Sequence, residues 1–584
     1  MRRQVVSAPG RVTRLIGALS LVLGICLGGG CTDHADNPGD ASQAPAAQWF
    51  TEITTAVGLD FVHETGATGK LLLPEVACGG AALFDFDSDG DLDIYLINGN
   101  QFFSDAAVAQ TPINRLYRQD PAGHFVDVTA ESGLGDGGYG MGVAIGDIDN
   151  DGDADVYVTN YGPDRLYRNL GDGTFEDITE SAGIDVPGFS CSAAFFDYDL
   201  DGFLDLYVTQ YVEFDPDLHC FDQAGRRDYC GPLVFTPVHD LLLHNNGDPQ
   251  EPGFTDVTEQ AGVSSAAGAG LGVVCEDLND DGWIDVYVAN DGYANHLWLN
   301  QGDGTFREAA LMMGVAYNLH GQPEAGMGVV AADFDNDTHV DLFMTHLAQE
   351  TNTLYRNVGG GAGFTDITGR SGLGASSMTY TGFGTAALDV ELDGDLDIIV
   401  VGGRVALGDP HPNSSVPAPW DRLAEPNLFF VNNGNARFEP VDRPVEALCG
   451  RVEVTRGLAI GDIDSDGDLD ILISNVQGPA RLYRNITPRK GHWLIVRAVD
   501  PSLRRDAIGA RVTVLCNGQR QVRTIARGFS YLSSSDPRAH FGLGDINRVD
   551  RIEVRWPDGM RELFPATDVD RVVQVTRGTG KRQP

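Results

Sequence analysis

The stretch Asp147-Ile148-Asp149-Asn150-Asp151-Gly152-Asp153-Ala154-Asp155, running directly into Val156-Tyr157-Val158-Thr159, decides the fold. Alternate side chains of so tight a loop converge on one point, and a hard divalent cation is what needs that many oxygens there. The β-branched and aromatic run that follows reads as a strand. The form D-x-D-x-D-G-x-x-D recurs in loops opening at Asp85, Asp147, Asp197, Asp277, Asp333, Asp389 and Asp462, spaced by 62, 50, 80, 56, 56 and 73 residues. Self-similarity near 50 residues marks a propeller or array whose units bury their apolar faces against one another.

Residues 142–183 display one whole unit: G-V-A-I-G-D, the Asp loop, A-D-V-Y-V-T-N, then D-R-L-Y-R-N-L-G-D-G-T-F-E-D-I-T-E-S-A-G. Its short apolar runs and turn signals predict four strands. Strand one enters the metal loop and strand two leaves it. Strand three is the L-Y-R-N segment, and the G-D-G-T turn makes a hairpin to strand four. Seven such units predict an all-β, seven-bladed β-propeller over residues 49–487. Strand four appears first of all as Phe50-Thr51-Glu52-Ile53-Thr54, before any metal loop, so the N-terminal strand is expected to complete the last blade and remove the open sheet edge. Phe438-Glu439-Pro440-Val441 is a weak strand four.

Up-and-down connectivity puts the metal loops and the strand 3–4 turns on one face. The long strand 2–3 loops (99–113, 211–239 and 402–426) are then expected on the opposite face, where binding belongs.

Oxygen donors are assigned at loop positions 1, 3, 5, 7 and 9, with the position-7 carbonyl also available and Gly at position 6 for the turn. The first loop offers Asp85, Asp87, Asp89, Asp91 and Asp93, and the second Asp147, Asp149, Asp151, Asp153 and Asp155. The third offers Asp197, Asp199, Asp201 and Asp205; the fourth Asp277, Asn279, Asp281 and Asp285; the fifth Asp333, Asp335, Asp337 and Asp341. The sixth has Asp389, Glu391, Asp393, Asp395 and Asp397, and the seventh Asp462, Asp464, Asp466, Asp468 and Asp470. Up to seven Ca²⁺ ions are expected, the fifth loop being weakest because Thr338 replaces its Gly. Position 12, Glu in an EF-hand, is Leu96, Val158, Val208, Val288, Met344, Val400 and Ile473, which excludes helix–loop–helix.

The net charge of −44 follows from this pattern, because 31 of the 84 acidic residues occupy those positions. A surface so negative excludes nucleic acid as a partner. The balance reverses from Arg489 onward, with 18 Lys and Arg against 10 Asp and Glu, and marks a second, basic module suited to docking on the acidic ring. Residues 491–577 alternate apolar and polar, as in Arg551-Ile552-Glu553-Val554-Arg555-Trp556, and predict a small β-sandwich over 488–578 with a tail at 579–584. Ser533-Ser534-Ser535-Asp536 with His540 reads as a hydrogen-bonded loop rather than a hydrolase, since no second acid or oxyanion loop accompanies it.

Arg2, Arg3, Arg11 and Arg14 precede an apolar run from Leu15 to Leu27, a secretory signal over 1–31 that is too short to span a membrane. Cys31, followed by a polar tether over 32–48, resembles the lipid-modified cysteine of bacterial lipoproteins, although Gly28 stands where Leu is usual. The expectation is export, as an envelope lipoprotein anchored through Cys31 or as a cleaved and secreted protein. Cys220 and Cys230 lie in one irregular insertion and are expected to form a disulfide in that oxidising compartment; Cys191 and Cys275 are expected to be buried thiols.

The repeats resemble the FG-GAP/VCBS repeats of integrin-α-type propellers. T-G-K-L-L-L-P-E-V-A-C-G-G-A-A-L-F-D-F-D-S-D-G-D-L-D from residue 68, with D-Y-C-G-P at 228–232, resembles bacterial relatives of cartilage acidic protein. R-G-F-S-Y-L-S-S-S-D-P-R-A-H-F-G-L-G at 527–544, with V-R-W-P-D-G at 554–559, is similar to the ASPIC/UnbV domain. This resemblance implies an extracellular calcium-binding protein of adhesion or matrix type, with a protein or glycan partner and no catalytic residues. The alternative is a calcium-dependent carbohydrate-active enzyme of the polysaccharide lyase kind, for which only His320, His346, His411, Arg404 and Trp420 are candidates.

Overall fold

The computed structural model describes residues 47–100, 111–489 and 491–583. The signal segment, Cys31 and the middle of the 99–113 loop lie outside the described residues. Each Asp loop joins the first two strands of a four-stranded antiparallel sheet, and seven such sheets stand among the described residues. The second is typical: Tyr139–Gly146, Asp155–Tyr161, Arg165–Asn169 and Phe175–Asp177 pair in sequence order. The weak strand is real, since Phe438–Pro440 pairs with Leu428–Asn432 at the edge of the sixth sheet.

The ring closes through the N-terminal strand. Phe50–Glu52 pairs antiparallel with Arg481–Asn485, Phe50 opposite Asn485, so the seventh sheet takes its outer strand from the start of the chain. The innermost strands contact one another in a closed cycle that begins at Ala81–Phe84 and ends when Thr455–Gly461 meets Ala81–Phe84 again. This is a β-propeller. Its cores lie between neighbouring sheets; Leu342, Val329 and Tyr287, for example, bury the seam between the fourth and fifth. Large fully buried rings on strand two recur around the circle at Tyr95, Tyr157, Tyr207 and Tyr287.

The C-terminal residues form two larger sheets and a two-stranded one, Arg548–Val549 with Thr567–Asp568, around a separate core that includes Leu494, Val512, Val554 and Trp556. His492–Asp500 pairs antiparallel with Ala539–Gly544 and parallel with Arg571–Thr576. The expected tail is corrected here: Lys581–Arg582 is the edge strand of the second sheet, opposite Glu562 and Leu563. Propeller and C-terminal sheets nonetheless belong to one compact unit.

What unites them is the segment from Arg527 to Arg538, which leaves its own domain and threads the centre of the ring. Ser530 exchanges two backbone hydrogen bonds with Val329 at 2.7 and 3.0 Å, Val143 N–H donates to the Leu532 carbonyl, and Leu83 N–H donates to that of Ser534. Leu458 N–H donates to Ser533 Oγ, Ile460 N–H to Ser535 Oγ and Thr385 N–H to Ser530 Oγ. Inner strands have backbone groups facing the axis, and a buried N–H must be paired; the serines supply the acceptors. Gly80, Gly142 and Gly272 make room, because a Cβ at each would fall within 3.0 Å of neighbouring backbone. His540 reaches the Gly467 carbonyl at 2.9 Å and not a serine, so the Ser/Asp/His run serves as packing material.

On the face away from the Asp loops, the tip of this segment meets the insertions. Tyr531 and Leu532 join one apolar cluster with Leu73, Val76, Phe235 and Trp420. Cys220 and Cys230 are disulfide-bonded, with Cα atoms 5.2 Å apart. Cys191 is buried, whereas Cys275 is only partly so.

Candidate metal centre

The seven loops share one hydrogen-bond design. The position-9 aspartate is buried and clamps the loop to strand three: Asp155 Oδ2 accepts from Ile148 N–H and Oδ1 from Asn169 N–H, both at 2.8 Å. The same pair of bonds recurs at Asp93, Asp205, Asp285, Asp341, Asp397 and Asp470. The position-1 carboxylate accepts the position-6 N–H, as Asp147 does from Gly152 at 3.0 Å, and position 5 accepts from position 7, as Asp151 does from Asp153. At Thr338, which replaces the loop glycine, the same bond to Asp333 survives at 2.9 Å with φ at 78°.

These local bonds use part of the oxygen supply and leave the rest aimed inward. Carboxylate oxygens of positions 1, 3 and 9 lie within 4.8 Å of one another in the loops of Asp85, Asp147, Asp197 and Asp333. Asp147 Oδ1 and Asp197 Oδ1 are buried without a hydrogen-bond partner. Burial pushes Asp93, Asp285 and Asp341 up to about 8 and Asp147 to about 7, the mark of carboxylates crowded together out of water. An all-oxygen donor set with orphaned oxygens fits a hard divalent cation.

Arginines answer part of this charge, which the sequence reading did not foresee. The strand-three arginine bends over its own loop: Arg168 pairs with Asp149, Arg356 with Asp335 and Asp337, and Arg484 with Asp464. Its signal was the R of L-Y-R-N. A second set comes from the C-terminal sheets, which sit on the loop face. Arg511 pairs with Glu276 and Asp280, Arg555 with Asp277, and Arg505 donates to Asn150 Oδ1 and the Gly202 carbonyl. Arg489 pairs with Asp466 and Asp468. The basic excess read from the sequence is thus spent on the acidic rim. In the fourth loop, where position 3 is Asn279, Arg555 occupies the position-1 carboxylate directly.

The residues considered for a lyase have these surroundings, and His411 Nδ1 among them accepts from Asn413 N–H at 3.2 Å. Arg404 is held by Glu425 and the Asp409 carbonyl, Trp420 is buried in the apolar cluster, and His346 is buried beside Glu324 while His320 stands in water.

The FG-GAP-like repeat family matches residues 85–158, 147–208, 277–344 and 333–400, and the family described as ASPIC and UnbV matches residues 500–582. The chain is an FG-GAP repeat protein with a C-terminal ASPIC/UnbV domain. That domain is the one whose 527–538 segment fills the ring. Cartilage acidic protein 1 of Homo sapiens is 28% identical over 312 residues, covering 52% of this chain and 43% of the relative. The Mus musculus protein is 29% identical over 312 residues (52% and 44%), and the Xenopus tropicalis protein 27% over 313 (52% and 44%). The match therefore spans less than half the length of each of these relatives.

Among solved structures, the chain is similar to an Agrocybe aegerita lectin recognising non-reducing terminal N-acetylglucosamine, with TM-score 0.38 and 16% identity, covering 63% of this chain and 80% of that one. YCF48 bound to D1 peptide has TM-score 0.38 and 10% identity, covering 73% and 96%. No helix among the described residues is long and apolar enough to cross a membrane.

Proposed function

We propose that this chain is an exported, non-enzymatic scaffold whose ring loops hold divalent cations, calcium above all, and whose opposite face binds a protein or glycan partner. The observation that carries the reading is the convergence of position 1, 3 and 9 oxygens, with Asp147 Oδ1 and Asp197 Oδ1 buried and unpartnered. Bound there, Ca²⁺ would neutralise the crowded carboxylates. Asp85, Asp87 and Asp93 would hold it in the first loop, Asp147, Asp149 and Asp155 in the second, and Asp333, Asp335 and Asp341 in the fifth.

A permanent, structural role for the ion agrees with extracellular modules, whose Kd values are about 10⁻⁴–10⁻³ M. The binding face is supported by exposed apolar side chains on the disulfide-stapled insertion, Phe221, Leu233 and Val234, each more than half exposed. Calorimetric titration of the full chain with Ca²⁺, together with retention on immobilised glycans and matrix proteins, tests the proposal. Saturable Ca²⁺ uptake with retention supports it. Unsaturated products released from acidic polysaccharides would overturn the non-enzymatic reading.

A further inference from the structure

The side chain just before the strand-three Asn or Gln varies from sheet to sheet, and Arg168, Arg356 and Arg484 at this place each pair with their own Asp loop. It is Arg118, Arg168, Arg356 and Arg484 in four sheets, and Leu299 and Val431 in two. In the third sheet it is His244. A guanidinium keeps its proton and repels a cation; leucine and valine offer nothing; neutral imidazole offers a nitrogen lone pair.

His244 turns Nδ1 into the third loop, where its N–H donates to the Asp205 carboxylate; a metal taking the Nδ1 lone pair would displace that proton. Its Nδ1 lies 2.9 Å from Asp205 Oδ1 and 3.7 Å from Asp199 Oδ2, and it groups with Asp199 and Asp201 within 4.8 Å. Asp197, Asp199 and Asp205 converge within the same limit, and the Asp197 side chain, nine-tenths buried, leaves Oδ1 without a hydrogen-bond partner. Asp199 belongs to both groups, so the imidazole and the carboxylates meet on the same loop.

We infer that the third loop is a mixed imidazole–carboxylate site for a first-row transition ion of the Zn²⁺ class. The hard Ca²⁺ ion takes oxygen ligands, whereas imidazole suits zinc and its neighbours in the series. The scaffold therefore carries two kinds of metal site, and the exceptional one lies in the sheet whose strand 2–3 insertion bears the disulfide. The inference rests on the reading that the ring loops hold divalent cations.

The test titrates the full chain with Co²⁺, an optical stand-in for Zn²⁺, in excess Ca²⁺. One equivalent giving a visible ligand-field band, displaced by Zn²⁺, is the expected result. His244→Leu, copying the fourth sheet, loses that band and weakens binding by about tenfold or more. His244→Gln, which restores an oxygen, takes up Ca²⁺ in its place, and covers the case in which the leucine variant does not fold. Co²⁺ uptake that is absent, or unchanged in both variants, overturns the inference while calorimetric Ca²⁺ binding leaves the scaffold reading standing. Failure to bind either ion overturns both.

Discussion

Tyr531 of the ASPIC/UnbV domain donates its hydroxyl to the Ala77 carbonyl at 2.7 Å, across 454 residues of sequence. The ring is fully buried and meets Phe383 edge-on, with centroids 4.9 Å apart. One contact therefore ties the second domain to the far face of the first.

Removing only the hydroxyl, in Tyr531→Phe, is expected to cost about 1 kcal/mol, as for a typical buried hydrogen bond. Tyr531→Ala opens a cavity at the hub and is expected to cost about 3–5 kcal/mol. Urea unfolding measures both, and the propeller and ASPIC/UnbV signals should move together in one transition. Separate transitions with an unshifted propeller midpoint would refute the tie.

Loop positions 7 and 9 look alike in sequence and differ in consequence. Asp155→Ala strands the N–H groups of Ile148 and Asn169, each costing about 1–3 kcal/mol when buried and unpaired. Asp153 is half-buried and its side chain accepts one long hydrogen bond, from Ser88 Oγ at 3.4 Å, so Asp153→Ala is expected to cost less than about 1 kcal/mol. Thermal melts of the two variants in chelator isolate this difference from any bound ion.

Chelation should lower the melting temperature and calcium should restore it. A site at a hundred times its Kd contributes about 2.7 kcal/mol, so several sites together shift the midpoint substantially. Equal melting temperatures with and without chelator would defeat the metal reading of the loops.

His346 supplies a pH dependence independent of the loops. It is buried, with Glu324 3.8 Å from Nε2, and burial lowers its pKa to about 3, against 6.5 for a free histidine. A folded value below the unfolded one means stability is fully present above pH 6.5 and lost as pH falls toward 3. The loss at pH 4 is of the order of 3 kcal/mol. His346→Gln is expected to flatten this part of the stability profile; an unchanged slope between pH 6.5 and 4 would contradict it.

The ring was legible because its information is local and repeated. Asp147 to Asp155 states loop, turn and strand within nine residues, and Phe50-Thr51-Glu52 is recognisable as a displaced strand four because six others share its form. The strand-three arginines were visible in L-Y-R-N but were read only as strand, since nothing in spacing says that Arg168 curls back to Asp149. The path of 527–538 was illegible for a different reason. Gly-Phe-Ser-Tyr-Leu-Ser-Ser-Ser has small side chains and hydroxyls suited to a loop in its own domain or to a channel lined by backbone N–H groups. Only the inner strands, hundreds of residues away, distinguish the two. The edge strand Lys581–Arg582 was missed because two charged residues carry no alternation.

Because a ribosome delivers the chain from the N-terminus, residues 527–538 arrive after all seven Asp loops have been made. Without that segment the ring has an open axle, with inner-strand amides facing water. A chain cut just before Arg527 would be a wheel without its hub, its inner-strand amides left without the acceptors that Ser530, Ser533 and Ser535 supply.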